Sequence, residues 1–218
     1  MLIKMKKGFF YLAMALLAFA GIGFEVILAF GLEPVLYGAE MKDWTVSQNI
    51  IHWILTCILW GASAFGVITL AKKKGDFDIF QKGRKVELWK WIVIILIIIG
   101  SLVVSYLDWK GFKVVKEFRA NGPLRFVFQY IYYVFEVLLV TLILVFSQKA
   151  FDEWFKNPNI PYGGIIVALT WGIGHFLTKD VMTGIITMLS GLAFGSVYLL
   201  VNRDIKKAYI ILWLIFVL

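Results

Sequence analysis

The chain has 218 residues, of which 61% are hydrophobic, and it carries a formal net charge of +8. Soluble domains are close to half apolar, so this composition indicates an integral membrane protein. The single cysteine excludes an internal disulfide and any metal site built from several cysteines. The basic residues gather at the ends of apolar runs, which indicates membrane topology and anionic lipid rather than nucleic acid.

Long apolar runs predict an all-α fold, a polytopic bundle of six to seven transmembrane helices forming one domain over residues 1–218. The predicted helical segments are residues 8–31, 46–71, 88–107, 124–148, 162–178, 181–202 and 208–218. The last would be about 16 Å long, half the thickness of a bilayer. The first also fits a signal peptide, but its apolar run continues past the cleavage-like residues 18–20 and favours an uncleaved helix.

Charges at the segment ends predict the orientation. Three lysines, Lys4, Lys6 and Lys7, precede the first segment, and a mixed loop follows it with Glu33, Glu40, Lys42 and Asp43. The loop after the second segment is strongly basic, with Lys72, Lys73, Lys74, Lys82, Arg84, Lys85 and Lys90. The positive-inside rule therefore places the N-terminus in the cytoplasm of a cell membrane, which we expect to be bacterial.

Residues 108–125 are basic although alternation places them outside the cell. Their apolar positions, Phe112, Val115 and Phe118, recur every three residues, and Asn121-Gly122-Pro123 is typical of a helix stop. This pattern predicts an amphipathic helix lying along the membrane surface, and a hydrophilic loop is the alternative.

Glu136 is the strongest candidate for a functional residue, because it lies in the middle of an uncharged run, residues 126–147. An ionisable group near the bilayer midplane costs roughly 3 kcal/mol on insertion scales. Four polar side chains share its helix face, namely Gln129, Tyr132, Tyr133 and Ser147. This stripe indicates either a polar site facing the bundle interior or a hydrogen-bond ladder that pins two helices together.

His175 is the second candidate, in a glycine-rich stretch with Trp171 one turn before it. An imidazole there can exchange a proton, bind a metal or serve as a packing and hydrogen-bonding residue. His52 and Glu25 are weaker candidates, since His52 could be interfacial and Glu25 could extend towards water.

Glycines form a stripe on the sixth segment, at Gly184, Gly191 and Gly195. Small residues at this spacing are typical of helix packing in membranes.

Residues 130–200 resemble the CPBP family of membrane proteins, also called Abi or CAAX-protease-like. Glu136 matches the first glutamate of that family's first motif, while Val137 and Thr141 stand where the family has a second glutamate and an arginine. Trp171 to His175 matches the second motif, Phe-x-x-x-His, with Trp for Phe. No histidine follows His175, so the family's third motif is missing.

The resemblance implies that Glu136 and His175 are the catalytic pair of an intramembrane endopeptidase, activating a water that attacks a peptide bond. Because the motif set is incomplete, we expect a relative with reduced or no protease activity that acts on or binds a membrane-associated peptide or protein. An active CAAX-type protease and a small transporter with Glu136 as proton relay are the alternatives. The expected partners are the bilayer and that peptide or protein, not nucleic acid; the sequence indicates no cofactor and leaves metal binding open.

Overall fold

The computed structural model describes residues 2–218, with side chains from Met5 onward, so Lys4 lies outside the described side chains. Every regular element in this part of the chain is helical. The helices are α1 (Leu2–Ile27), α2 (Glu33–Tyr37), α3 (Val46–Gly75), α4 (Leu88–Asp108), α5 (Lys113–Phe155), α6 (Tyr162–Val167), α7 (Ile173–Thr178), α8 (Val181–Leu200) and α9 (Ile205–Val217). Two π-helical turns, Leu28–Leu32 and Ala168–Gly172, join α1 to α2 and α6 to α7.

The predicted all-α bundle is confirmed. Within residues 2–218, five helical stretches are long and apolar enough to cross a membrane, namely Met5–Tyr37, Val46–Gly75, Leu88–Asp108, Lys113–Phe155 and Val181–Leu200. The stretch Tyr162–Thr178 is apolar but shorter, and so is α9. The chain is therefore a multi-pass helical protein whose apolar surface suits contact with a lipid bilayer.

Helix α5 is the centre of the bundle. Its residues 139–147 are between 0% and 1% exposed on every face, which is typical of a helix surrounded by others. Helices α1 and α3 pack on one side of α5, and α6 and α9 pack on the other. Helix α4 contacts only α8 and α9 to any extent, and most of its surface faces outward.

The two ends of the bundle are recognised by contacts between helix termini. At the amino-terminal end, the Tyr11 hydroxyl of α1 donates to the carbonyl of Gly75, where α3 ends, over 2.9 Å. At the far end, the Ser105 hydroxyl of α4 donates to the carbonyl of Leu218 over 2.9 Å. Helix α9, which begins at Ile205 rather than at the predicted residue 208, therefore runs beside α4 to the far end.

The predicted amphipathic helix is present as residues 113–121, at the start of α5. Gly122 then breaks the helix with φ 67° and ψ 170°, a conformation that favours glycine, and Pro123 starts the long core segment. Phe112, Val115 and Phe118 are exposed, while Glu117 is buried against the core segment. The short helix thus turns its apolar face outward, as contact with lipid requires.

Asp204 joins three chain segments at the amino-terminal end. Its carboxylate accepts from the backbone N–H and the ammonium group of Lys207, over 3.2 and 2.6 Å, and from the N–H of Gly83 over 3.3 Å. Burial raises the pKa of Asp204, but these hydrogen bonds and the Lys207 charge outweigh it and hold the pKa below its usual value. The carboxylate form therefore stabilises the start of α9.

We expect Asp204→Ala to lower the free energy of unfolding by about 2 kcal/mol, because a helix cap and a buried acceptor are lost together. Since the folded pKa lies below the unfolded value, this stabilisation is present above about pH 4 and is lost as the pH falls through the folded pKa. Denaturation in detergent should show the gap between wild type and variant narrowing in that acid range. Glu40→Ala, which removes an exposed ion pair with Lys42, is the matched control and should change stability little.

Candidate functional site

Glu136 is buried in the bundle and is bound by Trp171. The indole Nε1–H of Trp171 donates to Glu136 Oε1 over 3.0 Å, linking α5 to the π-helical turn before α7. Glu136 itself is 8% exposed, so this bond lies in a largely desolvated place. Among the described side chains, the indole is the one hydrogen-bond partner that Glu136 has.

His175 is half-buried and is oriented by its own helix. Its Nδ1 lies 2.8 Å from the Trp171 carbonyl, which can only accept, so Nδ1 carries a proton. In the neutral imidazole the lone pair is then on Nε2, as a base or a metal ligand requires. The Trp171 and His175 rings pack edge to face with centroids 4.7 Å apart.

Glu136 and His175 therefore meet through Trp171 rather than through a bond to each other; among the described side chains, no hydrogen bond or ion pair joins them directly. Sequence reasoning noticed Trp171 only as the residue one turn before His175. Its role as the hydrogen-bond donor to Glu136 follows from the position of the π-helical turn Ala168–Gly172 beside α5, which the sequence does not reveal.

The polar stripe expected around Glu136 is divided among separate networks. Gln129 and Tyr133 both donate to Glu117 Oε1, over 3.2 and 2.7 Å, and not to Glu136. Tyr132 donates instead to Glu25 Oε1 over 2.7 Å. Glu117 lies on the short helix that folds back at Gly122, so its position could not be read from the α5 core segment alone.

A second buried polar cluster lies at the far end, where α1, α2, α3 and α5 meet. His52 Nδ1 is 2.5 Å from Glu33 Oε2, and His52 Nε2 is 3.9 Å from Glu25 Oε1. Both His52 and Glu33 are at most 1% exposed. His52 is therefore enclosed by the protein, and Glu25, with 28% of its side chain exposed, is bound to Tyr132.

Glu33 is a further correction, because the sequence placed it in a loop. The apolar residues after it and Pro34, a residue favoured in the first turn of a helix, were the available signals that the helix continues. The π-helical turn Leu28–Leu32 comes directly before Glu33, and the other π-helical turn contains Trp171. Such turns are frequent at functional sites because they re-aim side chains within a helix.

The surroundings of Glu136 towards the amino-terminal end are apolar. Residues 137–146 of α5 are buried except for the partly buried Leu138, and their one polar side chain, Thr141, donates to its own helix at Val137. An apolar groove of about 350 Å³ opens between α3 and α5, beside Cys57 and Phe135, and its lining includes neither Glu136 nor His175. In the described part of the chain, no group of three His, Cys, Asp or Glu side chains is arranged to hold a metal ion.

Composition, burial and five long apolar helices together define an all-α, multi-pass membrane protein with two buried polar clusters. Comparisons with protein-family models, curated proteins and solved structures find no match.

Proposed function

We propose that the chain is a CPBP-like membrane protein that binds a membrane-associated peptide or protein and has lost most or all protease activity. The observation that carries this proposal is the position of Trp171 between the two motif residues. Its indole binds Glu136 Oε1 and its carbonyl binds His175 Nδ1, so the two side chains are each held by Trp171 and are not paired with each other as a cooperating acid and base would be. The arrangement is a hydrogen-bonded remnant of an acid–base pair.

We also propose an orientation of the bundle in the membrane. With the N-terminus cytoplasmic, the far end of the bundle faces outward, and Glu136, His175 and the His52 cluster all lie towards that side. The stretch from residue 137 to 146, which is apolar apart from Thr141 and buried apart from Leu138, supports a site that opens to one side only. It argues against a transporter, since a proton path needs ionisable or hydrated groups across the whole membrane.

An active protease remains the second candidate, and the unprotonated Nε2 of His175 favours it, because that atom is available as a base. Comparing cells that express wild type and Glu136→Gln separates the two functions. New peptide termini in the membrane fraction, mapped by mass spectrometry, should be the same for both proteins under our proposal. Termini that occur only with wild type would establish proteolysis and overturn it.

Binding is tested separately with a photo-crosslinking residue at Leu177, which is 85% exposed and two residues after His175. We expect defined protein adducts there that persist in Glu136→Gln, because binding does not need the carboxylate. The matched control is a crosslinker at Leu96 on α4, also exposed, where lipid adducts are expected. Identical adducts at both positions would contradict a specific binding face.

A further inference from the structure

The cluster around His52 has two buried polar atoms without a hydrogen-bond partner among the described side chains, His52 Nε2 and Glu33 Oε1. Leaving such a group unpaired costs about 1–3 kcal/mol, so each one needs an explanation. Both atoms belong to one chain of contacts, Glu33 to His52 to Glu25, and Tyr132 continues it onto α5.

The geometry excludes a shared metal ion as the missing partner. The imidazole lies between the two carboxylates, with Glu33 against Nδ1 and Glu25 facing Nε2, so the acids approach opposite edges of the ring. A single ion cannot contact both. Protons fit this arrangement, because each ring nitrogen can carry its own proton and donate it to the carboxylate on that side.

The charge of the buried Glu33 carboxylate also indicates a proton on His52. Glu33 is 1% exposed, and an ionised carboxylate buried to that extent needs a positive partner. Among the described side chains, His52 is the one basic group within 4 Å of Glu33. If Nε2 lacked a proton, its lone pair would face a carboxylate oxygen at 3.9 Å, an acceptor opposite an acceptor.

We propose that Glu33, His52 and Glu25 form a proton-binding site in which His52 holds a proton on each ring nitrogen. Glu33 binds the first N–H, and Glu25 closes on the second by a movement of about 1 Å, the difference between 3.9 Å and a hydrogen-bond length. This site is independent of whether Glu136 has a catalytic role.

Glu25 is the member through which the proton enters and leaves the cluster, because 28% of its side chain is exposed while His52 and Glu33 are enclosed. The same oxygen, Oε1, accepts the Tyr132 hydroxyl and faces His52. Proton binding therefore draws Glu25 from Tyr132 towards His52. This movement weakens the hydrogen bond of Glu25 to Tyr132, which lies on α5 one turn before Glu136. Two further titratable side chains lie near this cluster: Tyr37, one turn after Glu33 on α2 and packed on the Trp44 ring, and Glu136, one turn after Tyr132 on α5 and close enough to interact electrostatically with Glu25.

The test uses the fact that the sequence contains only two histidines. The full-length protein, labelled with ¹⁵N on histidine and held in lipid nanodiscs, gives ring-nitrogen signals that His52→Gln and His175→Gln assign. At pH 6 we expect His52 to have both ring nitrogens protonated. In Glu25→Gln, which keeps the size of the side chain and removes its charge, His52 should release its second proton at a lower pH than in wild type.

The His175 signals report whether each variant is folded, and Glu33→Gln provides a second variant if one fails. A neutral His52 at pH 6 in wild type would overturn the proposal, and so would a His52 titration that neither glutamate substitution changes.

Thermal stability gives an independent measurement. The folded state binds the proton and the unfolded chain binds it less well, so lower pH favours the folded state. We expect the Tm of wild type to rise by about 3 °C from pH 8 to pH 6. His52→Gln should remove this rise and His175→Gln should keep it; an equal rise in His52→Gln would contradict the site.

Discussion

Gly164→Leu is expected to destabilise the protein by about 3 kcal/mol and to lower its Tm in detergent by about 9 °C. The reason is the close crossing of α6 over α8. A Cβ added at Gly164 would lie 2.7 Å from the carbonyl oxygen of Gly191 and 2.8 Å from the Cα of Gly195. These are backbone atoms, so they cannot rotate away as a side chain would, and the two helices must separate.

Gly100→Leu is the matched control. Gly100 lies on α4, and a Cβ there would meet nothing within 4 Å. The same change should leave Tm unchanged or raise it slightly, since leucine favours a helix more than glycine does. Thermal unfolding followed by the far-ultraviolet circular dichroism signal compares the two variants. Equal Tm values would show that the α6–α8 crossing is not tightly packed.

This crossing also shows how far the sequence predicted the fold. The stripe of Gly184, Gly191 and Gly195 predicted helix packing, and the structure confirms it, because Gly191 and Gly195 contact α6 and the adjoining π-helical turn. The helical segments were predicted well because long apolar runs have few structural solutions in a membrane. Their ends were predicted less well: α5 continues to Phe155, beyond residue 148, where polar residues pair along the helix, as Lys149 and Glu153 do.

The candidate site was predictable only in part, and the reason is physical. Apolar patterning shows which residues share a helix face but not which neighbouring helix that face meets. Gln129 and Tyr133 share the face of Glu136, yet they bind Glu117, because residues 113–121 fold back beside them. The pairing of Glu33 with His52 depends on the π-helical turn Leu28–Leu32, and although Pro34 indicates that a helix continues there, the sequence does not predict the turn or the direction in which it points Glu33.

The bond between Trp171 and Glu136 is open to a double-mutant test. Trp171→Phe leaves the buried Glu136 carboxyl without its donor, and Glu136→Leu leaves the indole N–H without its acceptor. Each single change should cost about 2 kcal/mol, the usual penalty for an unpaired buried polar group. In the double variant neither group is left unpaired, so its cost should fall short of the sum by about 1 kcal/mol, the upper part of the range measured between membrane helices.

Glu136→Gln completes the test, because an amide oxygen still accepts from the indole while the ionisable proton is gone. We expect its Tm in detergent to stay within about 2 °C of wild type, since the buried bond is retained. Strict additivity in the double variant, or a loss with glutamine as large as with leucine, would contradict the Trp171–Glu136 bond as the reason for the buried carboxyl. Because the glutamine variant should stay folded, any change in peptide termini that it causes reports chemistry at Glu136 rather than loss of the bundle.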